Sequence, residues 1–443
     1  MIQSDKFEQG LRLVLEAIGE AQKGGAPALS ADEMRRALDE LEGLRGRPPF
    51  YPYLGSGIGR GARAMLADGR WVLDFALGIG VHFFGHGNLD LIETALRAAA
   101  SDLVMQGNLV FNREYHALLK TIIAHAPTLQ RYCWLALSGA DANENALKLI
   151  RQKREGRPGV IAFEGCFHGR TTAMAEITDR PDYRIGQPAT FPVHYIPFYD
   201  RRDPDCAAKS LAALREVIGR DGKSAGAFFV ELVQGEGGFV TAPREFFVPL
   251  FQQCRAAGIA ILIDEVQTFA RTSELFATDW LNLAEYADLI TIGKILQGSA
   301  VLFRREFMPD PGLISGTFSG ATVAMAVGRR IIEKLTSEEF FGPEGRIKRL
   351  ETMAHEHLER LVRKHPGKIG ERDGVGAMVA FRVADGSKET TLKFVRRCFE
   401  AGLAMYCCYG GKRMPCVRMF LPAGALTDEE LEEGFAIVER CLS

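Results

Sequence analysis

The sequence predicts an α/β fold, in which a mostly parallel sheet is covered by helices on both faces and is followed by a smaller α+β domain. Between about residue 90 and residue 330, short apolar runs alternate with helical patterns, which is typical of a buried parallel sheet. From residue 344 the pattern changes to a long charged helix, two short strand-like runs and further helices. The chain has 443 residues, of which 47% are hydrophobic, and this is enough for two or three lobes.

The first 46 residues predict two peripheral helices. The run FEQGLRLVLEAIGEAQ has apolar residues at helical spacing, and SADEMRRALDELEGL begins with Ser30 as a cap and an acidic first turn. The next run, GLRGRPPFYPYLGSGIGRG, is rich in Pro and Gly, which predicts a connector. ARAMLADGRWVLDFALGIG then predicts a hairpin that turns at Asp68 and Gly69.

Short apolar runs predict the strands of the large sheet: YCWLAL, GVIAFE, AFFVELV, AILIDEV and DLITIG. Helical patterns such as NENALKLIRQKR and REFFVPLFQQCRAAG lie between them. In the C-terminal part we expect helices at EGRIKRLETMAHEHLERLVRKH, at TLKFVRRCFEAG and after Thr427. Because ligands of an open parallel sheet bind beyond the carboxyl ends of its strands, the residues that follow these strands are the candidates for chemistry.

Composition excludes several classes of partner. The 54 basic and 56 acidic residues leave a formal charge of −2, which gives no electrostatic argument for nucleic acid or an anionic membrane. No apolar stretch reaches membrane-spanning length, and the N-terminus has no apolar signal-peptide core. The nine cysteines are scattered, odd in number and without a CxxC pair, which favours free thiols in a reducing cytosol. We therefore expect a cytoplasmic enzyme.

The turn after YCWLAL predicts an anion site. Ser138, Gly139 and Ala140 are small, so the backbone can approach a ligand closely, and a helix with Asp141 and Glu144 in its first turn follows. The unpaired amides and the dipole of a helix N-terminus attract an anion such as phosphate. Taken alone, the same residues fit an ordinary capped helix equally well.

Two further turns carry an aromatic ring, a cation and two acids. GCFHGRTT places Phe167, His168 and Arg170 beyond GVIAFE, and they offer a face for a planar ring and a guanidinium for a carboxylate. LVQGEGGFV places Glu231 and Glu236 in a bend that requires small residues. Since a buried acid needs a partner, we expect a basic group to face them.

An acid and a lysine follow the last two predicted strands. Asp264 stands at the end of AILID, and Lys294 follows DLITIG, 294 − 264 = 30 residues later. That gap holds a helix and a strand, so both side chains can reach one cleft. The apolar surroundings of Lys294 favour its neutral amine, which is the nucleophilic form.

Together these parts match the needs of pyridoxal 5′-phosphate (PLP). The phosphate binds at a helix N-terminus, and the ring stacks on an aromatic side chain. The protonated pyridine nitrogen pairs with a carboxylate, and the aldehyde condenses with a lysine amine. Each signal is weak singly, but their order along the chain is specific.

The ordered motifs SGADANENALKL, FEGCFHGRTT, ELVQGEGG, ILIDEVQT, TIGK and GTFSG resemble those of the class III aminotransferases. That family has pyridoxal-phosphate fold type I and includes ornithine, acetylornithine, 4-aminobutyrate and lysine ω-transaminases. The resemblance covers about residues 50–440 and implies a large domain with a mostly parallel seven-stranded sheet plus a smaller α+β domain. The expected division is a helical arm at 1–48, a first segment of the small domain at 49–75, the large PLP-binding domain at 76–335 and the rest of the small domain at 336–443.

The resemblance also implies roles in cofactor binding. Lys294 would form the internal aldimine and then move a proton, and Asp264 would pair with the pyridine nitrogen. The other implied contacts are Ser138, Gly139 and Ala140 at the phosphate, Phe167 and Val266 against the ring, Gln267 at the phenolic oxygen, His168 and Glu231 nearby, and Thr317. Thr317 would reach the phosphate of the neighbouring subunit, which implies a homodimer with shared active sites.

Four residues are implied in substrate binding. Arg418 in CVRMFLP would hold the α-carboxylate of 2-oxoglutarate or glutamate, and Arg170 would hold the distal carboxylate. Glu236 would cover Arg418 while an ω-amino substrate is bound and then release it. Tyr51 lies where some family members contact substrate. The segment between the lysine and the GTFSG threonine is short (317 − 294 = 23 residues), which resembles the 4-aminobutyrate and lysine branches.

We therefore expect an ω-aminotransferase that moves the amino group of an amine or ω-amino acid to a keto acid, with 2-oxoglutarate as the expected acceptor, by a ping-pong mechanism. A PLP-dependent racemase or aminomutase is the alternative. A nicotinamide-dependent oxidoreductase or a non-catalytic homologue fits the residues less well.

Three further motifs suggest a function that their sequence context does not support. GSGIGRGA contains G-x-G-x-x-A, but no clear strand precedes it and no helix follows. His355 and His357 fall on different faces of a helix, so we expect no metal site there. Cys407 and Cys408 have no activating histidine nearby in the sequence, which favours packing in the small domain over catalysis.

Overall fold

The computed structural model describes residues 4–25, 27–101, 109–408 and 414–442. The helices are α1 (Asp5–Gly24), α2 (Ala31–Arg45), α3 (Leu77–Gly80), α4 (Leu89–Ala99), α5 (Arg113–His125), α6 (Gly139–Lys153), α7 (Thr172–Ile177), α8 (Cys206–Asp221), α9 (Arg244–Ala256), α10 (Ala277–Trp280), α11 (Thr322–Ser337), α12 (Arg346–Lys364), α13 (Lys388–Glu400) and α14 (Asp428–Cys441). The strands are β1 (Gly55–Arg60), β2 (Arg63–Leu66), β3 (Trp71–Asp74), β4 (Tyr132–Ala136), β5 (Gly159–Phe163), β6 (Val193–Ile196), β7 (Ala225–Val230), β8 (Val233–Gln234), β9 (Val240–Thr241), β10 (Ala260–Glu265), β11 (Leu289–Ile292), β12 (Ser299–Phe303), β13 (Ile369–Val375), β14 (Met378–Val383), β15 (Leu403–Ala404), β16 (Tyr406–Cys408) and β17 (Cys416–Phe420).

The large sheet has seven strands in the order β4-β12-β11-β10-β7-β5-β6. All of them run parallel except β12, which is antiparallel to both of its neighbours. This confirms the mostly parallel seven-stranded sheet, and the predicted strands are β4, β5, β7, β10 and β11. The sequence reading did not identify β6, a short edge strand, or β12, which continues the apolar run through Lys294 after a tight turn.

Alternating side chains of the large sheet enter two separate cores, one on each face. In β5, Val160 and Ala162 pack with the α6 residues Leu147 and Ile150. Ile161, on the other face, joins the second core, which also holds apolar residues of α8 and α9. Because successive side chains of a strand point to opposite faces, a strand covered on both sides needs an unbroken apolar run. This requirement is what made the central strands visible in the sequence.

The C-terminal part of the chain forms an antiparallel sheet in the order β13-β14-β17-β16. Helix α12 packs on it, with Leu350, Ala354 and Leu358 among its buried residues. The predicted hairpin is present as β2 and β3, and β3 also pairs in parallel with β15. This pairing brings the segment before the large sheet against the segment after it, and the domain boundaries stay a prediction.

The glycine-rich run at residues 55–60 is a strand and not a connector. β1 pairs antiparallel with β2, so no helix follows its glycines and the dinucleotide motif lacks its strand-to-helix context. The predicted connector is wrong here. Glycine has a low strand propensity, but pairing with β2 outweighs that low propensity. None of the helices within the described residues has the length and apolar character to cross a membrane.

Candidate active site

A cavity of about 620 Å³ lies at the carboxyl ends of the parallel strands. Tyr406 of β16 and three residues around α3 (Gly78, Ile79 and Val81) complete its wall opposite the sheet. The predicted site residues that line it are Ser138, Gly139, Ala140, Phe167, His168, Arg170, Glu231, Glu236, Asp264, Val266, Gln267 and Lys294. The chain therefore brings the turns after five strands, which are far apart in sequence, into one cavity.

Lys294 lies in a short 3-10 turn directly after β11. Its φ of 49° is in the left-handed region, which is uncommon for a residue with a side chain, so the surrounding structure holds it there. Burial is the main cause that lowers the pKa of Lys294 to about 8, and the nearby cations Arg271 and Arg418 lower it further. Desolvation and charge thus both favour the neutral, nucleophilic form that the sequence predicts for Lys294.

Asp264 lies in β10 and is held by three hydrogen bonds. Its Oδ2 accepts from Asn143 Nδ2 at 2.7 Å and pairs with His168 Nδ1 at 2.8 Å, while its Oδ1 accepts from the amide of Val266 at 3.0 Å. The carboxylate accepts only, so Nδ1 of the imidazole carries a proton and donates it. Although burial opposes a charged ring, the neighbouring Cys166 and the bond to Asp264 hold the pKa of His168 well above its usual value.

Asn143 and Thr291 are parts of this network that the sequence reading did not identify. Both are buried, and Thr291 Oγ1 donates to Asn143 Oδ1 at 2.8 Å, which fixes the orientation of the amide. Asn143 Nδ2 also donates to the carbonyl of His168 at 2.9 Å. The available signal was an asparagine inside an otherwise apolar helix face, since a buried amide needs several partners.

The N-terminus of α6 opens into the cavity. Ser138 caps the helix by accepting from the amide of Asp141 at 3.2 Å. A Cβ atom at Gly139 would lie 2.6 Å from Val266 Cγ1, so only glycine allows the backbone to approach so closely. Free amides next to an open cavity are an anion site.

The cavity is also lined by Glu231, Phe167 and Gln267. Glu231 accepts from the amides of Phe167 at 2.9 Å and Gly235 at 3.0 Å, and burial raises the pKa of its carboxyl to about 7. No basic side chain hydrogen-bonds to it in the described part of the chain, so the expected basic partner exists for Glu236 alone. The buried Nε2 of Gln267 has no hydrogen-bond partner among the described residues and is available to a ligand.

Glu236 lines the cavity and lies between two arginines. Arg418 is fully buried and donates from Nη2 to Glu236 Oε1 at 2.6 Å and from Nη1 to the carbonyl of Gly235 at 2.6 Å. Burial disfavours the carboxylate, but Arg418 and Arg180 hold the pKa of Glu236 below its usual value. Arg180 was not predicted, because its segment carries no recognisable motif.

Arg170 is exposed at the rim of the cavity, where its guanidinium stacks 4.0 Å above the ring of Tyr183.

Three predicted site residues do not line the cavity. Arg418 lies directly behind Glu236, and Thr317 is exposed in the 3-10 turn Thr317–Gly320. Tyr51 stacks on Phe399 with 4.0 Å between ring centroids and hydrogen-bonds to the backbone of Met405.

The donor set fits PLP. It offers a helix N-terminus for a phosphate, a fixed carboxylate for a ring nitrogen, an amide donor without a partner for a phenolic oxygen, and a lysine amine with a lowered pKa. Metal chemistry has no comparable basis, since the described residues contain no group of three or more potential metal ligands.

The chain is similar to known proteins over most of its length. A family model described as aminotransferase class-III matches residues 56–442. The 2-aminoadipate transaminase of Pseudomonas putida is 31% identical in an alignment 412 residues long that covers 87% of this chain and 94% of that protein. The 5-aminovalerate aminotransferase DavT of the same species is 30% identical over 408 residues, covering 85% and 90%. A solved structure of the ornithine aminotransferase from Toxoplasma gondii, with partial occupancy of PLP at its active site, matches with a TM-score of 0.76 and 25% identity, covering 94% of this chain and 98% of that one.

Proposed function

The chain belongs to the class-III aminotransferase family, and from this premise we propose that it transfers the amino group of an ω-amino acid or amine to 2-oxoglutarate, with glutamate as the product. The family assignment makes the chain an enzyme with an amino donor and a keto acid as substrates. The roles of the individual residues and the identity of the two substrates are part of our proposal.

The observation that carries the proposal is the shared cavity of Lys294 and Asp264. When bound, PLP supplies an electron sink for negative charge that develops at the donor carbon. Asp264 orients and pairs with the ring nitrogen, because three donors fix its carboxylate. Lys294 would hold the aldehyde end of the cofactor, and with a pKa close to the working pH its amine would accept and return the proton at the donor carbon.

The remaining cofactor contacts follow from the wall of the cavity. Ser138, Gly139 and Ala140 bind the phosphate at the N-terminus of α6. Phe167 and Val266 would pack on the ring, and Gln267, whose Nε2 has no partner among the described residues, would donate to the phenolic oxygen. Two further residues position these contacts. His168 hydrogen-bonds to Asp264, and Glu231 accepts from the backbone amide of Phe167.

The substrate end binds carboxylates. Arg418 takes the α-carboxylate of the keto acid once Glu236 has left it, and Arg170 takes the distal carboxylate from the rim. With Glu236 on Arg418, the same space accepts a donor whose reacting end carries no carboxylate. One cavity can therefore serve two substrates of different charge in turn.

Three proposals reach beyond the single cavity. The exposed position of Thr317 suits a contact with the cofactor phosphate of a second subunit, so we propose a homodimer. Tyr51 is proposed as a substrate contact only through the resemblance, since its hydroxyl binds Met405 here. A cytoplasmic location rests on the cysteine usage of the sequence.

A donor screen tests the function. The purified PLP-loaded enzyme is incubated with 2-oxoglutarate and a panel of ω-amino acids, diamines and α-amino acids, and glutamate is measured. We expect glutamate with at least one ω-amino donor, parallel lines in a double-reciprocal plot and no product without a keto acid. Conversion of a donor into an isomer without 2-oxoglutarate would instead establish a racemase or aminomutase.

A further inference from the structure

Arg180 is a buried cation that none of the roles above uses. It follows α7 and precedes the short 3-10 turn Pro181–Tyr183, and only 3% of its surface is exposed. Its Nη2 lies 3.5 Å from Glu236 Oε2 and 3.5 Å from the carbonyl oxygen of Glu236. The side chain is thus placed against the same carboxylate that closes Arg418.

The two arginines contact opposite oxygens of one carboxylate. Arg418 holds Oε1 at 2.6 Å and Arg180 faces Oε2 at 3.5 Å, so the Glu236 carboxylate lies between them and closer to Arg418. A short displacement toward Arg180 would exchange a strong ion pair with Arg418 for one with Arg180. Because both guanidinium groups are buried, neither end position leaves the carboxylate without a charged partner.

We propose that Arg180 is the positioning residue that receives Glu236 when a keto acid displaces it from Arg418. Glu236 then has two defined positions, one on each arginine, and moves between them in every catalytic cycle. The inference rests on the proposed function, since it assumes that Arg418 binds the carboxylate of the acceptor.

The consequence is specific for one half of the reaction. The keto acid binds only to the form in which Arg418 is free of Glu236. Its apparent affinity therefore decreases when a smaller fraction of the enzyme is in that form. Arg180 stabilises that form, because it then pairs with Glu236 in place of Arg418. The donor binds to the other form, which already predominates, and its affinity should not depend on Arg180.

A double-mutant cycle tests this. Arg180→Gln is made in the wild type and in Glu236→Gln, whose amide cannot form either ion pair, and the KM values for 2-oxoglutarate and for the donor are measured. In the wild-type background we expect Arg180→Gln to raise the KM for 2-oxoglutarate at least about tenfold, with the donor KM changed less than about twofold. In the Glu236→Gln background the same substitution should have no effect on either KM.

Arg184→Gln is the matched control, because Arg184 lies in the same segment but donates to the carbonyl of Glu176 and not to Glu236. Arg180→Lys, which keeps the charge, should restore most of the keto-acid affinity. If Arg180→Gln does not fold, Arg180→Met keeps the apolar stem next to Tyr183 and is measured in the same way.

An equal rise in both KM values, or a rise in the 2-oxoglutarate KM that persists in Glu236→Gln, would overturn the inference, because Arg180 would then act directly on substrate or on the fold. A wild-type enzyme that forms no glutamate from any donor would overturn the proposed function as well. The two failures are therefore distinguishable by the behaviour of the unmodified enzyme.

Discussion

The two ends of the cavity hold their central carboxylates in opposite ways. Asp264 accepts from two side-chain donors and one backbone amide, and both of those side chains are almost fully buried. The side-chain partners of Glu236 are two guanidinium groups at unequal distances, 2.6 Å and 3.5 Å. One carboxylate is fixed by a network, and the other lies between two alternative partners.

This difference matches what each end must bind. A resident cofactor needs one carboxylate in one orientation, and a fully satisfied buried network supplies rigidity. Two substrates that bind in turn need a group that can leave without becoming an unpaired buried charge, and a second guanidinium provides this. Lys294 lies between the two ends and is influenced by the charges of both.

Lys294→Ala should have the largest effect, because no other side chain in the cavity can replace the amine. We expect turnover to fall by at least about 10⁴-fold and the visible absorption of enzyme-bound PLP to be lost. Transamination and the absorption spectrum are measured beside Lys223→Ala, which removes an exposed amine. Turnover within tenfold of the wild type would show that the chemistry does not depend on this lysine.

Asp264→Asn should have the next largest effect, at the fixed end. The amide keeps the shape, but its NH2 group must face either the amide of Val266 or the donors of Asn143 and His168, and the substitution removes the charge at the ring nitrogen. We expect kcat to fall by about 10²–10³-fold, as for the loss of one preorganised electrostatic partner.

Asn143→Ala is the graded comparison for Asp264→Asn, since it leaves the carboxylate in place and removes one of its three donors. Its kcat should fall only about tenfold. Asn145→Ala, on the same helix and without a bond to Asp264, should leave kcat near the wild-type value. If all three substitutions reduced kcat equally, the network would not act through the carboxylate of Asp264.

Arg418→Ala acts at the exchangeable end and should affect one substrate. It removes the guanidinium that takes the keto-acid carboxylate, so we expect the KM for 2-oxoglutarate to rise about 10- to 100-fold, which corresponds to the loss of a charge-assisted hydrogen bond. The donor KM should change less than about threefold. Steady-state kinetics with each substrate varied in turn measure both, and equal increases would contradict the exchange of Glu236 for substrate.

The sequence indicated the positions of Asp264 and Lys294 more directly than that of Arg180. Asp264 and Lys294 follow unbroken apolar strands, and a charged group at such a place has few structural explanations. Arg180 could not be found in this way, because its role depends on side chains that meet only in the folded chain, and Asn143 offered only the weaker signal of an amide on an otherwise apolar helix face. The same limit applies to β12, whose pairing with β4 joins segments far apart in the sequence.

The pH dependence of PLP uptake should show the smallest effect. It reports the pKa of Lys294, which the charges at both ends of the cavity influence. With a pKa of about 8, about 9% of Lys294 is neutral at pH 7 and about 91% at pH 9, so the rate at which the PLP-free protein takes up PLP should rise about tenfold and then level off. Stopped-flow absorbance measures this rate. At the usual lysine pKa of 10.5 the rate would still be rising at pH 10. In Arg418→Ala the midpoint should move to higher pH, because removing a neighbouring cation and exposing Lys294 to Glu236 both favour the protonated amine; an unchanged midpoint would show that Arg418 does not contribute to the lowered pKa of Lys294.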